Sequence, residues 1–177
     1  ILAAGYSFAS ASHRAVAERC VDICSYDAID IILGKQRATM VGSGDEYRFE
    51  AMSEELQSAL TEYTSQGGSL MVTGSYLLTD MWTSPVATDA DRKFASEVLH
   101  VNYGGGMATR RGEVKGVLLS LFAKDFSVEF NTELNDEIYC VESPEVVRPA
   151  GKQAYTAMRY RASNQPAAAL YTGSYRT

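Results

Sequence analysis

Several kinds of residue are scarce in this chain. Its 177 residues hold two histidines, three cysteines, four prolines and one tryptophan. With only His13 and His100, any imidazole chemistry has two possible sources. The three cysteines, Cys20, Cys24 and Cys140, are an odd number and cannot close an internal disulfide framework. Positive charge is short as well: 16 Lys+Arg stand against 22 Asp+Glu, a net charge of -6. An acidic chain without a basic stripe repels phosphates, which argues against a nucleic-acid partner. No apolar run approaches the roughly 18 residues of a membrane span.

What is present fits a folded domain. Hydrophobic residues make up 46% of the chain and charged residues 21%, enough apolar surface for one core and too little net charge for disorder. Residues 1–177 therefore read as a single domain. The chain opens Ile1-Leu2-Ala3-Ala4-Gly5, without Met and without the basic leading region of a signal peptide. It stops just after Thr172-Gly173-Ser174-Tyr175-Arg176-Thr177, where another strand is expected. Both ends read as cuts in a longer polypeptide.

Along the chain the pattern is α/β first and β-rich later. Ile1–Gly5 reads as a short buried strand. Ser10 and Ser12 offer caps for a helix over 15–22. Ala28–Leu33, apolar and β-branched, predicts a strand buried on both faces of a parallel sheet. A polar excursion follows, and then the best helix, Ser53–Gln66, with Ser53 as cap and a stripe of Leu56, Ala59, Leu60 and Tyr63. Gly67-Gly68 stops it and Ser69–Gly74 predicts a second parallel strand, completing a βαβ crossover. Thr88 is expected to cap a helix over 89–99. Beyond it, 107–147 alternates, with β-rich runs at 126–130 and 138–141, and Tyr155–Arg161 and Ala167–Tyr171 read as strands. The expected architecture is a flavodoxin-like three-layer sandwich with a mostly parallel sheet and β-rich additions in the second half.

The segments Asp27–Gly34 and Gly67-Gly68-Ser69-Leu70-Met71-Val72-Thr73-Gly74-Ser75-Tyr76, joined through a helix, resemble class I glutamine-amidotransferase-like, flavodoxin-type domains. More narrowly, Gly5–Ser12, Gly74–Trp82 and Pro166–Thr177 resemble a module of large secreted bacterial proteins described as xanthan lyases. That resemblance implies a secreted or cell-envelope location. It also implies the remaining domains of a parent chain as partners, and a polysaccharide as the molecule being processed.

The same comparison sets a chemical demand: a nucleophilic cysteine at a strand-to-helix elbow, with a histidine and an acid downstream. No cysteine follows a strand in such an elbow, and His100 precedes Cys140. The module therefore reads as non-catalytic. Two catalytic alternatives stay open. Ser75, in Gly74-Ser75-Tyr76, is a candidate nucleophile with His100 as base and Asp80 as orienting acid, although the Gly-x-Ser-x-Gly elbow is incomplete. A polysaccharide lyase needs a base and a group that neutralises a uronate carboxylate, for which Tyr103 and Arg110, beside Asn102 and Arg111, are the candidates.

Ligands of open α/β sheets bind beyond the carboxyl ends of the strands. Ser7, Lys35, Ser75, Tyr76 and Trp82 are accordingly the candidate binding residues, with Lys35 and Arg37 suited to an anionic sugar. Gly104-Gly105-Gly106 lacks the spacing and context of a phosphate loop, so no cofactor is expected. Gly42-Ser43-Gly44-Asp45-Glu46 is too sparse for Ca²⁺. Cys20 and Cys24, with His13 nearby, read as small buried hydrophobes and not as metal ligands.

Overall fold

The structure, a computed structural model, describes residues 1–44, 46–117 and 125–177. Leu2–Ala4 form one turn of 3-10 helix, and residues 1–12 are exposed. The expected first strand is therefore absent. Ile1 and Leu2 keep 68% and 71% of their surface, so no sheet edge receives them.

Helix α1, His13–Ala17, is capped by the Ser12 hydroxyl, which accepts from Ala15 N, and is shorter than expected. Strand β1 is Ala28–Ile32. The polar excursion after it folds into a small antiparallel hairpin of β2, Thr39–Val41, and β3, Glu46–Arg48. Asp45, in the acidic loop considered for Ca²⁺, lies outside the described residues.

Helix α2, Glu54–Ser65, forms as its sequence prescribes. The Ser53 hydroxyl accepts from Leu56 N, and Glu54 and Glu55 face the positive end of the helix dipole. Its stripe of Leu56, Ala59, Leu60 and Tyr63 is at most 2% exposed. Gly67 adopts φ 90°, the left-handed turn that ends the helix. Strand β4, Ser69–Thr73, then pairs parallel to β1, from Ala28 opposite Ser69 to Ile32 opposite Thr73. The βαβ crossover is formed.

This sheet is covered on one face only. Ile31 and Leu70 are buried, whereas Ile32 and Met71 keep 67% and 58% of their surface. The expectation of burial on both faces fails because α1 and α2 pack against each other and no described helix covers the far side.

Helices α3, Leu77–Thr83, and α4, Asp89–Glu97, follow. A capping box opens α4: Asp91 N donates to the Thr88 hydroxyl and Thr88 N donates to the Asp91 carboxylate. The second half is antiparallel. Strand β5, Val101–Tyr103, precedes β6, Glu113–Gly116, and β7, Ser127–Glu129. Strands β8, Val147–Pro149, β9, Ala154–Tyr160, and β10, Pro166–Tyr171, complete the set. They pair as β5 with β8, and as a four-stranded sheet in the order β10-β9-β6-β7. No strand forms over 138–141.

The fold is thus mixed α/β with several small sheets. Parallel pairing among the described residues is confined to β1 and β4, and the remaining ladders are antiparallel. A backbone bond joins the halves, Leu70 N donating to Arg176 O.

Candidate functional site

The ends of β1 and β4 lie side by side. Leu33 N donates to Thr73 O and Ser75 N donates to Gly34 O, which fixes the two following loops together. Gly74 permits the approach: a Cβ there would stand 2.9 Å from Leu33 Cβ. The loop after β1 carries Lys35, Gln36 and Arg37; the loop after β4 carries Ser75 and Tyr76.

Tyr76 is 5% exposed, and its hydroxyl donates to Glu142 Oε2 at 2.6 Å. Burial, and then the bond to Glu142, raises the phenol's pKa. Lys35 Nζ donates to the other Glu142 oxygen. The bond from Lys35, followed by that from Tyr76, lowers the Glu142 carboxyl below the ordinary glutamate range. The Arg37 guanidinium lies over the Tyr76 ring, 4.2 Å from its centroid, a cation–π contact. A carboxylate from the second half is thus gripped by two strand-end loops of the first.

Two buried carboxylates hold this region in shape. Asp80 accepts from Ala38 N at 2.9 Å and Ala51 N at 2.7 Å, tying α3 to both ends of the excursion between β1 and α2. Burial raises its pKa, and the two amide bonds work against that rise. Glu145, 6% exposed, accepts from Leu78 N at 3.0 Å and from Thr79 N, and so caps α3, whose own N-cap residue, Tyr76, makes no side-chain capping bond to the helix. The Tyr160 hydroxyl donates to Glu145 O at 2.7 Å and anchors the capping segment to β9.

The sequence candidates are dispersed. Ser75 is 4% exposed, and among the described residues its Oγ meets no hydrogen-bond partner. His100 is engaged elsewhere: its ring stacks on Tyr171 with centroids 3.5 Å apart, and Nε2 lies 2.9 Å from the Tyr175 hydroxyl. Burial lowers its pKa. Asp80 is spent on backbone amides. The Ser75–His100–Asp80 relay is therefore not assembled.

Tyr103 accepts from the Thr79 hydroxyl at 3.4 Å, and its ring lies 6.3 Å from that of Trp82. Arg110 is exposed and, among the described residues, forms no ion pair. Trp82 is half-buried and packs against the core. Ser7 sits on the exposed N-terminal segment. Only Lys35 and Tyr76 of the candidate binding residues converge on one group.

Gly104-Gly105-Gly106 lies against the segment at 143–146, with Val146 N donating to Gly105 O. Cβ atoms at Gly104 and Gly106 would meet Val146 and Ser143 under 3.0 Å. Close packing accounts for Gly104 and Gly106, and a φ of 123° for Gly105. Cys20 and Cys24 are exposed, contrary to their reading as buried hydrophobes, because α1 ends at Ala17 before reaching them. Among the described residues no three His, Cys, Asp or Glu side chains are grouped to hold a metal. No described helix is long and apolar enough to cross a membrane.

An open cleft of about 630 Å³ lies where β4 begins, walled by Gly67, Ser69 and residues 172–176. Tyr175, its one aromatic wall, spends its hydroxyl on His100 and on carbonyls at the end of α4. Its titratable lining residues are Tyr175 and Arg176, with no carboxylate, histidine or cysteine beside them, so its volume alone gives no chemistry.

Glu142 and Glu145 were not foreseen from sequence. They occur in Glu142-Ser143-Pro144-Glu145, an ordinary turn-like stretch, and their side-chain partners lie 66 to 107 residues away. Comparison of the chain with family models, curated proteins and solved structures finds no match.

Proposed function

We propose that this chain is a non-catalytic, amidotransferase-like module of a larger secreted polysaccharide-processing protein, one that binds saccharide at the ends of its parallel strands. The observation that carries the reading is the contrast at those ends. Ser75, the nucleophile candidate there, is buried and has no hydrogen-bonded base among the described residues. Lys35 and Tyr76 are gathered on a carboxylate, and Arg37 lies over the Tyr76 ring beside them. A gathering of donors whose carboxylate already accepts a bond at each oxygen suits recognition better than turnover.

In this reading β1, α2 and β4 are the parallel nucleus of a flavodoxin-like sheet, and the antiparallel second half supplies a wall over the strand ends. The resemblance to the module of secreted proteins described as xanthan lyases supports the polysaccharide and the cell-exterior location. Further domains of the parent chain are its partners.

The test pairs binding with turnover. The 177-residue chain is incubated with xanthan and with polygalacturonate, and release of unsaturated uronate is followed by ultraviolet absorbance. Retention of the chain on the same polysaccharides is measured in parallel by affinity electrophoresis. Retardation without product is expected. Unsaturated product that Tyr103→Phe abolishes would replace this reading with the lyase, and new reducing ends or released acyl groups, assayed on the same mixtures and abolished by Ser75→Ala, would replace it with the serine hydrolase.

A further inference from the structure

Glu142 is held in a way that its own stability contribution does not explain. Its two oxygens are divided between Lys35 and Tyr76, residues 107 and 66 positions away. The three arrive from the loop after β1, the loop after β4, and the irregular stretch between β7 and β8. The Lys35 and Glu142 side chains remain 36% and 43% exposed, and ion pairs so open to water stabilise a fold little.

The donors are better prepared than the acceptor. Tyr76 has a buried ring, yet its hydroxyl is turned toward an exposed carboxylate. Arg37 lies over that ring, 4.2 Å from its centroid, and among the described residues its guanidinium meets no hydrogen-bond acceptor. A guanidinium fork fits a carboxylate with two parallel bonds. The cluster therefore presents two donors in use and a third left over, all suited to one planar anion.

We infer that Lys35, Arg37 and Tyr76 form a binding site for the carboxylate of a uronate sugar, which Glu142 occupies from within the chain until that ligand displaces it. The inference rests on the reading of the strand ends as a saccharide-binding face. Glu142 competes at the effective concentration of a tethered group, which for short flexible tethers is in the millimolar range. An incoming uronate offsets this by hydrogen-bonding Arg37, which acts on Glu142 through its charge, and by placing its ring hydroxyls around the grip. The chain thereby discounts weak, isolated carboxylates and admits those carried on an extended saccharide.

The experiment compares the wild-type chain with Glu142→Gln, which keeps the side-chain shape and removes its charge. Tyr76 ring resonances are followed by NMR during titration with sodium acetate, with trigalacturonate, and with neutral maltotriose. Acetate is expected to bind Glu142→Gln about tenfold or more tightly than wild type, because the tethered competitor is gone. Trigalacturonate should follow the same order, and maltotriose should leave Tyr76 unmoved. Adding Arg37→Ala to Glu142→Gln should remove most of the gain.

Equal acetate affinity in the two chains would overturn the role given to Glu142, whatever the sugar does. The expected acetate order without trigalacturonate binding would overturn the uronate and, with it, the saccharide-binding reading, while leaving the internal competitor standing. Full trigalacturonate affinity in the double variant would remove Arg37 from the site.

Discussion

Glu145 makes the most exposing test of how this fold is held together. The perturbation is Glu145→Ala. It removes the acceptor of Leu78 N and Thr79 N at the start of α3. Tyr76, the N-cap residue, has no side-chain capping bond to the helix with which to replace it. A buried donor left without an acceptor costs about 1–3 kcal/mol, and the buried Leu78 amide should bear that in full. The Thr79 amide is less enclosed and adds a fraction. Loss of a negative charge at a helix N-terminus adds about 0.3–1 kcal/mol. Against this, the substitution relieves the burial of a carboxylate whose pKa is raised, chiefly by desolvation. We expect a net destabilisation of about 2–4 kcal/mol, read as a lower urea midpoint, and roughly 2–4 °C in Tm per kcal/mol for a domain of this size. Glu145→Gln, which can still accept one bond, should fall between. The proton linkage gives a second readout. The native state keeps this proton at pH values where the unfolded chain has already released it. The group's contribution is therefore greatest below the ordinary glutamate range and fades as pH rises through its native pKa. Glu145→Gln should remove that slope. An Ala variant within about 0.5 kcal/mol of wild type would refute the capping argument, since that is the range of unremarkable surface changes.

Gly68→Ala should be severe, because the new Cβ would lie 2.2 Å from Tyr63 Cζ while the Tyr63 hydroxyl is held by Tyr26 O and Ser69 O, each at 3.1 Å. A loss of about 1–3 kcal/mol or more by chemical denaturation is expected, and an unchanged midpoint would mean that the ring can move aside. Thr88→Ala removes half of the capping box on α4 and should cost about 1 kcal/mol in the same assay, with no change in the m-value. For His100 the linkage has the opposite sign to that of Glu145. Burial lowers its imidazole pKa, so the unfolded chain takes up the proton first and stability falls as pH drops below about 6.5. His100→Gln should flatten that decline in urea midpoints measured across mildly acidic pH, and NMR titration of the His100 ring should give a midpoint below the free imidazole value.

The elements legible in sequence are those specified within a short window. Ser53, the stripe Leu56–Tyr63 and Gly67 mark α2 by local chemistry alone, and Thr88 with Asp91 marks α4 in the same way. The β1–β4 pair follows from apolar runs set on either side of that helix. The N-terminal run misleads because apolar content shows only that a segment can be buried. Whether a surface waits for it depends on the rest of the fold, and Ile1–Gly5 finds none. The same reason separates Ile31 from Ile32: periodicity marks both as apolar, while the number of covering layers decides which is shielded. At the candidate site, Lys35 and Tyr76 were legible because strand ends can be located from sequence. Glu142 was not, because its place depends on the path of an irregular stretch that no periodicity records.

The cap on α3 has a consequence for the order of folding. Leu78 and Thr79 precede Glu145 by 67 and 66 residues. At ribosomal rates of about 5–20 residues per second, the start of α3 is exposed for roughly 3–13 s before its acceptor exists. The α/β half is thereby made with one helix end unsealed, and closing it requires the Glu145 stretch to be set down beside Tyr160 and β9. The two halves, different as they look in sequence, complete one another at this cap.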